Sequence, residues 1–312
     1  MRLAFEAVSY SYAGGDAAKK RGRKKERERQ ADWGNAPDAL WALRDVSLTV
    51  EPGEFLGVAG HTGSGKSTLI QHMNGLVHPT CGRVTADGED LAEKGVAARV
   101  RQRVGLVFQY PENQLFAATV YDDVAFGPRN MKLGADEVDR RVREALDLVG
   151  LSFDDLAERS PFDLSGGQQR RVAFAGVLAM EPEMLVLDEP VAGLDPLSRT
   201  DFLALIASFH ARGMTVVMVS HSMEDLAALA DRILVLSEGR VFALGTPEEV
   251  FADAAALKAV GLGAPAPQAF ASSLREAGFI LPRPLYDETA LAEDIAAFLA
   301  AEAVEPGGDI RG

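Results

Sequence analysis

The sequence predicts an α/β protein built on a mostly parallel β-sheet that is covered by helices. Short apolar runs of strand character alternate with helical patterns along most of the 312 residues, which is typical of this fold class. Hydrophobic residues make up 47% of the chain, enough for a substantial core. Several apolar runs end directly at polar or glycine-rich turns, as expected where ligands gather at the carboxyl ends of parallel strands.

Four apolar runs are the strand candidates of this sheet. They span Phe55–Ala59, 104–108, 184–187 and 215–220. A glycine-rich loop follows the first run, and the apolar stretch after that loop predicts a helix that runs towards Gly75.

A mainly helical insertion is expected between the second and third strand candidates, at about residues 111–164. Within it Val138, Val142 and Leu146 keep helical spacing, and Gly150 is a stop signal. We therefore expect a helical subdomain beside the sheet.

The chain is expected to divide into a main domain at residues 1–247 and a small C-terminal α/β extension at 248–312. The segment Thr246-Pro247-Glu248-Glu249 predicts a helix start with a capping box. Two later amphipathic segments carry apolar stripes too small to bury themselves. Those stripes either pack on the main domain or contact a second subunit, and both alternatives remain open.

The charge of the chain is uneven. The formal net charge of −14 argues against general nucleic-acid binding. Residues 19–29 nevertheless hold eight basic side chains against two acidic ones, within an insertion at about 13–37. That composition fits either a solvated, disordered insertion or a contact with anionic lipid headgroups.

Composition also bears on location. The longest uncharged apolar run, 172–180, is far shorter than the ~20 residues of a membrane-spanning helix. The first residues begin no secretory signal, and the single cysteine, Cys81, excludes an internal disulfide. We therefore expect a protein of the cytoplasm.

The loop after the first strand candidate predicts a phosphate site. It reads Gly60, His61, Thr62, Gly63, Ser64, Gly65, Lys66 and Ser67, and Thr68 follows. Backbone N–H groups of its glycines approach phosphate oxygens, the lysine meets the terminal phosphates and the serine hydroxyl faces Mg²⁺. Thr68 is expected on the α-phosphate side.

Two adjacent carboxylates end the third strand candidate. Asp188 is expected to hold Mg²⁺, and Glu189 to polarise an attacking water as general base. Gln109 ends the second strand candidate, where its amide oxygen reaches Mg²⁺ or that water, and His221 ends the fourth, where it touches a terminal phosphate. Asp195 is either a nucleotide ligand or a turn residue.

A second phosphate-site pattern lies at residues 164–168, here called the signature segment. It reads Leu164, Ser165, Gly166, Gly167 and Gln168, just before a long apolar run. A serine and two glycines at a helix start are typical of an anion-binding helix terminus.

These motifs, taken in order, resemble the nucleotide-binding subunits of ATP-binding cassette (ABC) transporters. The resemblance implies a phosphate-loop NTPase fold of the ABC type, with ATP and Mg²⁺ as cofactors. In such proteins two subunits dimerise head to tail, and each ATP is held between one subunit's phosphate loop and the other's signature segment. It also implies that Tyr12 stacks on adenine, with Tyr10 as its rival.

Finer features resemble the ATPases of energy-coupling factor (ECF) transporters, and the second of their two ATPase types is the closer match. These features include Phe108-Gln109-Tyr110-Pro111-Glu112-Asn113-Gln114 and Ser160-Pro161-Phe162-Asp163. The resemblance implies a heterodimer with a second ATPase on the cytoplasmic face of the membrane. It further implies a transmembrane T component, which residues 109–116 (the glutamine segment) would face, and an S component that captures a vitamin or metal ion.

The predicted function is ATP hydrolysis coupled to import of a small nutrient. One alternative is an ABC ATPase that acts on DNA or ribosomes, although such proteins usually carry long coiled coils or two cassettes, and this chain has neither pattern. A second alternative is a phosphotransferase that uses the same loop.

Overall fold

The computed structural model describes residues 1–12, 41–279 and 288–303. The basic residues 19–29 and the whole insertion at 13–37 lie outside the described residues, so both interpretations of that insertion stay predictions. Within the described ranges, no helix is long and apolar enough to cross a membrane.

A six-stranded sheet forms the centre of the fold. Its strands are β3 (Phe55–Ala59), β6 (Val104–Val107), β7 (Met184–Asp188), β8 (Thr215–Val219), β9 (Arg232–Ser237) and β10 (Arg240–Gly245). Their order is β10-β9-β3-β8-β7-β6, and only β10 pairs antiparallel to its neighbour. All four predicted strands are present, with ends that differ by at most one residue.

A second, antiparallel sheet was not identified in the sequence. It consists of β1 (Leu3–Tyr10), β2 (Leu43–Val50), β4 (Cys81–Ala86) and β5 (Glu89–Asp90), in the order β2-β1-β4-β5. Ala7 and Asp45 adopt left-handed backbone conformations, and the register between β1 and β2 shifts on both sides of Val8. These irregularities break the strict alternation by which a half-buried strand is recognised in sequence.

The two faces of the central sheet bury different partners. Leu56 and Val58 of β3 face a core shared with β1, β2 and the helix after the phosphate loop, whereas Phe55 and Ala59 face a core shared with the helical side. Every residue of β3 is buried. This two-sided burial explains why the strand is a continuous apolar run.

Helices cover the sheet on both sides. Those of the main domain are α1 (Lys66–Met73), α2 (Val96–Arg103), α3 (Val120–Asn130), α4 (Ala135–Leu148), α5 (Phe153–Leu156), α6 (Gly166–Leu178), α7 (Pro196–Ala211) and α8 (Met223–Leu229). Short 3₁₀ turns occupy Pro111–Gln114 and Pro161–Asp163. Helices α3, α4 and α6 pack on one another, in the stretch where a helical insertion is expected and beyond it through α6.

Helices are the regular elements in the described part of the C-terminal extension. Its helices are α9 (Pro247–Phe251), α10 (Ala254–Ala259), α11 (Ala266–Glu276) and α12 (Glu288–Ala303). The expected capping box is confirmed, because the side chains of Thr246 and Glu249 each bond the other residue's backbone N–H. The expected α/β character is wrong for the described residues, since this alanine-rich stretch lacks the β-branched runs that favour strands.

Candidate functional site

The phosphate loop, residues 60–67, joins β3 to α1 in a conformation that needs glycine. Gly63 and Gly65 have φ of 83° and 106°, in the left-handed region. A Cβ on Gly65 would lie 2.5 Å from the carbonyl oxygen of Ala42, whereas a Cβ on Gly63 would meet nothing within 4 Å. Gly65 is therefore fixed by packing, and the space over Gly63 is open for a ligand.

Lys66 folds back over this loop. Its Nζ donates to the carbonyl oxygens of Gly60 at 2.6 Å and of His61 at 3.0 Å, and the residue is 8% exposed. Burial lowers the pKa of Lys66, while the carboxylates of Glu189 and Asp188 oppose that shift. The ammonium group is thus held at the loop, within the electrostatic reach of both carboxylates.

Asp188 and Glu189 lie where β7 ends, as predicted. Burial raises the pKa of Asp188, against the opposing effects of Lys66, His221 and a hydrogen bond with the Ser67 hydroxyl. Glu189 has a left-handed φ of 49°, and its backbone N–H donates to Val219 at 3.1 Å. This tight turn directs the Glu189 side chain away from the strand at the carboxyl edge of the sheet.

Glu189 and His221 form a close pair at this edge. His221 Nε2 lies 3.2 Å from Glu189 Oε1, but this carboxylate oxygen is buried and accepts no hydrogen bond within the described residues. Burial raises the pKa of Glu189 to about 7, opposed by a hydrogen bond from the His221 backbone and reinforced by Asp188. Burial, and then Lys66, lower the pKa of His221. A buried carboxylate oxygen without a partner is an acceptor ready for a polar ligand.

The remaining predicted catalytic residue, Gln109, follows β6, the strand beside β7. Val107 pairs with Leu187, so Gln109 leaves the sheet next to Asp188 and Glu189. Its side chain is exposed. The topology therefore brings Gln109 to the same edge, and within the described residues no hydrogen bond joins its side chain to either carboxylate.

The two tyrosines near the loop differ sharply in exposure. Tyr10 is buried and packs edge-on against His72, with ring centroids 5.0 Å apart. Tyr12 is 62% exposed, and its hydroxyl oxygen lies 3.0 Å from Thr68 Oγ1 on α1. Of the two, Tyr12 has the more exposed ring, which also packs edge-on against Tyr10 at 5.0 Å, and stacking on adenine stays a prediction.

The signature segment begins α6 with a complete capping box. Ser165 Oγ accepts from the backbone N–H of Gln168 at 3.3 Å, and Gln168 Oε1 accepts from the backbone N–H of Ser165 at 3.1 Å. Gly166 and Gly167 are exposed, and a Cβ on either would meet nothing within 4 Å. In the part of the chain that the structure describes, no hydrogen bond joins this segment to the phosphate loop. The exposed helix terminus therefore faces outward.

Asp195 caps α7. One carboxylate oxygen, Oδ1, accepts from the backbone N–H groups of Leu197 at 3.1 Å and Ser198 at 3.0 Å. The turn-residue interpretation describes this local role, and contact with a nucleotide stays a prediction.

The buried arginine beside this site was missed in the sequence. Arg170 of α6 is 4% exposed and pairs with Glu112 of the first 3₁₀ turn. The sequence did hold a signal, because Arg170 shares the four-residue spacing of the buried Phe174 and Leu178. A basic residue in an apolar stripe indicates a buried partner.

The chain is similar to several proteins of one family. A family model described as "ABC transporter" matches residues 43–192. The energy-coupling factor transporter ATP-binding protein EcfA2 of Symbiobacterium thermophilum is 55% identical, with 99% of each chain covered. The EcfA2 protein of Clostridium tetani is 49% identical over 78% of this chain and 86% of its own.

Solved structures agree with these relatives. CbiO1 of Clostridium perfringens, part of the ABC transporter complex CbiONQ, matches with a TM-score of 0.67 and 36% identity, covering 83% of this chain and 93% of its own. The dimeric ATP-binding cassette MJ0796, bound to ADP and Pi, matches with a TM-score of 0.63 and 27% identity over 78% and 98% of the two chains. This chain therefore belongs to the ABC transporter family, among the energy-coupling factor transporter ATPases of the second type.

Proposed function

We propose that this protein is the ATP-hydrolysing subunit of an ECF-type importer. In this proposal it drives uptake of a vitamin or metal ion through a transmembrane T component, and a separate S component captures the substrate. The observation that carries the proposal is a division within the chain. The phosphate loop lies with Asp188, Glu189 and His221, whereas Ser165 starts an exposed helix terminus whose capping hydrogen bonds, in the described residues, stay within its own turn.

This division supports a composite ATP site between two subunits. The signature segment would grip the terminal phosphate bound to a partner, where the positive end of the α6 dipole favours an anion. MJ0796, one of the similar solved structures, is itself a dimeric cassette. We propose a heterodimer with a second ABC ATPase, in which Asp195 contacts nucleotide at the interface.

Within this chain, each part of the ATP has a proposed contact. The triphosphate would lie over the loop residues Gly60, His61, Thr62, Gly63, Ser64, Gly65, Lys66, Ser67 and Thr68. Tyr12 would stack on adenine, and its exposed ring beside Thr68 supports that placement. The outward-facing Ser165, Gly166, Gly167 and Gln168 would complete the partner's site.

Mg²⁺ fits the residues at the end of β7. Ser67 lies close enough to the half-buried Asp188 carboxylate to act on its pKa, and hydroxyl and carboxylate oxygens are the ligands that Mg²⁺ prefers. No cluster of three or more His, Cys, Asp or Glu side chains occurs in the described ranges, so ATP oxygens and water would complete the coordination. We propose Ser67, Gln109 and Asp188 as its protein ligands, and the bound ion would neutralise phosphate charge.

Glu189 is the proposed general base. Its buried Oε1 accepts no hydrogen bond in the described residues, and so it can accept one from an attacking water. With a pKa raised to about 7, the carboxylate is a better base than an exposed glutamate while still ionised in part at neutral pH. His221, 3.2 Å away, would hold the water or the terminal phosphate in line.

The face proposed to meet the T component carries exposed aromatic rings. Phe116 is 60% and Phe126 is 50% exposed, and they pack edge-on with centroids 4.9 Å apart. Exposed apolar clusters of this kind mark interaction sites on otherwise polar surfaces. With such a docking face, the protein would lie peripherally on the cytoplasmic side of the membrane. Residues 248–312 would pack on the main domain or contact the second ATPase.

Copurification tests this proposal. The full-length protein, expressed in its own host and extracted in mild detergent, should copurify with a second ATPase and small polytopic membrane proteins. Vesicles that contain this assembly should take up substrate only with ATP inside the compartment that holds the ATPases. Copurification with ribosomal or DNA-bound proteins in their place, without membrane partners, would contradict the proposal.

A further inference from the structure

One buried guanidinium joins three segments of the proposed site. The Nε and Nη2 atoms of Arg170 donate to the two carboxylate oxygens of Glu112 at 3.0 and 2.8 Å. Its Nη1 donates to the carbonyl oxygens of Pro190 at 3.3 Å and Ala192 at 2.9 Å. Arg170 therefore connects α6, the glutamine segment and the turn that directly follows Glu189.

The contact is ionic and largely dry. The Arg170 side chain is 5% exposed and that of Glu112 is 21% exposed. Burial raises the pKa of Glu112, but hydrogen bonding to Arg170, a backbone hydrogen bond and the charge of Arg170 together outweigh it, so the net shift is downward. A two-pronged arginine–carboxylate pair of this kind is geometrically specific, and removing one partner leaves an uncompensated buried charge.

A second contact brings the same two loops together. Gly193, in the turn after Glu189, has a left-handed φ of 75°, and a Cβ there would lie 3.3 Å from Tyr110 of the glutamine segment. Helix α6 also packs against the 3₁₀ turn that holds Glu112. The three segments thus form one packed unit, with Arg170 as its polar centre.

We propose that Arg170 is a positioning residue that couples the glutamine segment to both ATP sites in which this chain takes part. The inference rests on the proposed function. Pro190 directly follows Glu189, the base of the chain's own site, while Ser165 at the start of α6 serves the partner's site. If the T component displaces the glutamine segment, the rigid guanidinium of Arg170 would transmit that displacement to both ATP sites. A lysine ammonium cannot hold the carboxylate and two carbonyl groups in the same geometry.

The test uses the intact assembly with its membrane components, carrying Arg170→Lys or Arg170→Met. Arg171→Met is the matched control. Arg171 is the next residue of α6, but its Nη1 donates to the carbonyl oxygen of Val149, just after α4, at 2.7 Å. Glu189→Gln in this chain leaves hydrolysis at the partner's site alone. Replacing the partner's catalytic carboxylate by its amide leaves hydrolysis at this chain's site alone.

We expect both Arg170 variants to lower kcat at each site by about tenfold, with little change in KM for ATP, because the reacting groups are misplaced while the phosphate loop is intact. Arg171→Met should leave both sites unchanged. Transport per ATP should also fall in the Arg170 variants. Combining Arg170→Met with Glu112→Gln should cost little more than either change alone, since the two residues act as one unit.

Several outcomes would overturn the role of Arg170. They are an unchanged kcat in Arg170→Lys, a loss confined to one of the two sites, or independent effects of the Arg170 and Glu112 changes. If Arg170→Met does not fold, Arg170→Lys and Glu112→Gln carry the same test. A wild-type assembly that neither hydrolyses ATP nor imports substrate would instead overturn the proposed function.

Discussion

His221 Nε2 lies 3.2 Å from Oε1 of Glu189, a buried oxygen that accepts no hydrogen bond in the described part of the chain. The imidazole is close enough for an electrostatic interaction with the carboxylate, but it is not aligned for a hydrogen bond to this oxygen. The pair therefore keeps an acceptor available at the point where β7 and β8 end. This arrangement makes Glu189 the most testable residue of the site.

Glu189→Gln should lower kcat for ATP hydrolysis by at least about a hundredfold, because the amide cannot accept the proton of an attacking water. ATP affinity should stay near that of the wild type, since Lys66 and the loop are unchanged. Steady-state ATPase assays and equilibrium binding of a fluorescent ATP analogue measure the two effects. Glu93→Gln, at an exposed position, is the control. Residual turnover close to wild type would remove Glu189 from its proposed role.

The raised pKa of Glu189 predicts opposite pH trends for stability and activity. Its pKa is about 7 in the folded protein against 4.5 for the ordinary group, so the folded state binds more protons between these values. The stability contribution is full below pH 4.5 and is lost as pH rises through 7. Relative to Glu189→Gln, the wild-type Tm should therefore fall across this interval. The kcat/KM should rise with an apparent pKa near 7, because the base must be ionised. A flat activity profile across that interval would contradict this assignment.

Gly167→Ala separates folding from assembly. Position 167 is helical with open space around it, so alanine should leave the stability of the isolated chain equal or higher, by up to about 1 kcal/mol. In the dimer the added methyl group would stand between the signature segment and the partner's phosphate, and turnover at the partner's site should fall. Gly65→Ala is the contrasting variant, with an expected loss of about 1–3 kcal/mol from backbone strain at φ 106°. Chemical denaturation and dimer ATPase assays distinguish the two. Unchanged turnover in Gly167→Ala would show that the signature segment faces no nucleotide.

Tyr12→Ala should weaken ATP binding by about 1–3 kcal/mol through loss of base stacking. Tyr12→Phe keeps the ring and loses only the contact between the hydroxyl and Thr68, so its affinity should stay near wild type. Isothermal titration with ATP and with inorganic triphosphate compares the variants. Equal losses for both ligands would indicate that Tyr12 acts through the loop rather than on the base.

Local sequence patterns were enough to predict most of the fold and the residues of the candidate site. The strand β3, the phosphate loop and the capping box at Thr246 depend on residues within a few positions of each other, and their residue types alone predict their geometry. The strand end at Asp188 and Glu189 was recognised for the same reason. Alternation failed for β1 and β2, where left-handed residues and register shifts interrupt it.

Tertiary relationships could not be read in the same way. The pairing of Arg170 with Glu112 spans 58 positions and depends on how α6 packs against a 3₁₀ turn. The different burial of Tyr10 and Tyr12 could not be predicted from the order of residues, because both are aromatic and two positions apart. The described part of the C-terminal extension also differs from the prediction, since it is alanine-rich and helical where an α/β extension was expected.

The ammonium group of Lys66 already has two carbonyl acceptors, at 2.6 and 3.0 Å. Two of its three N–H donors are therefore engaged inside the loop, and an incoming anion either takes the third or displaces one of these carbonyl contacts. Chloride or a lone orthophosphate offers fewer acceptor atoms for these contacts than a triphosphate, which brings several oxygens at once. We expect these contacts inside the loop to favour binding of a triphosphate over binding of abundant small anions.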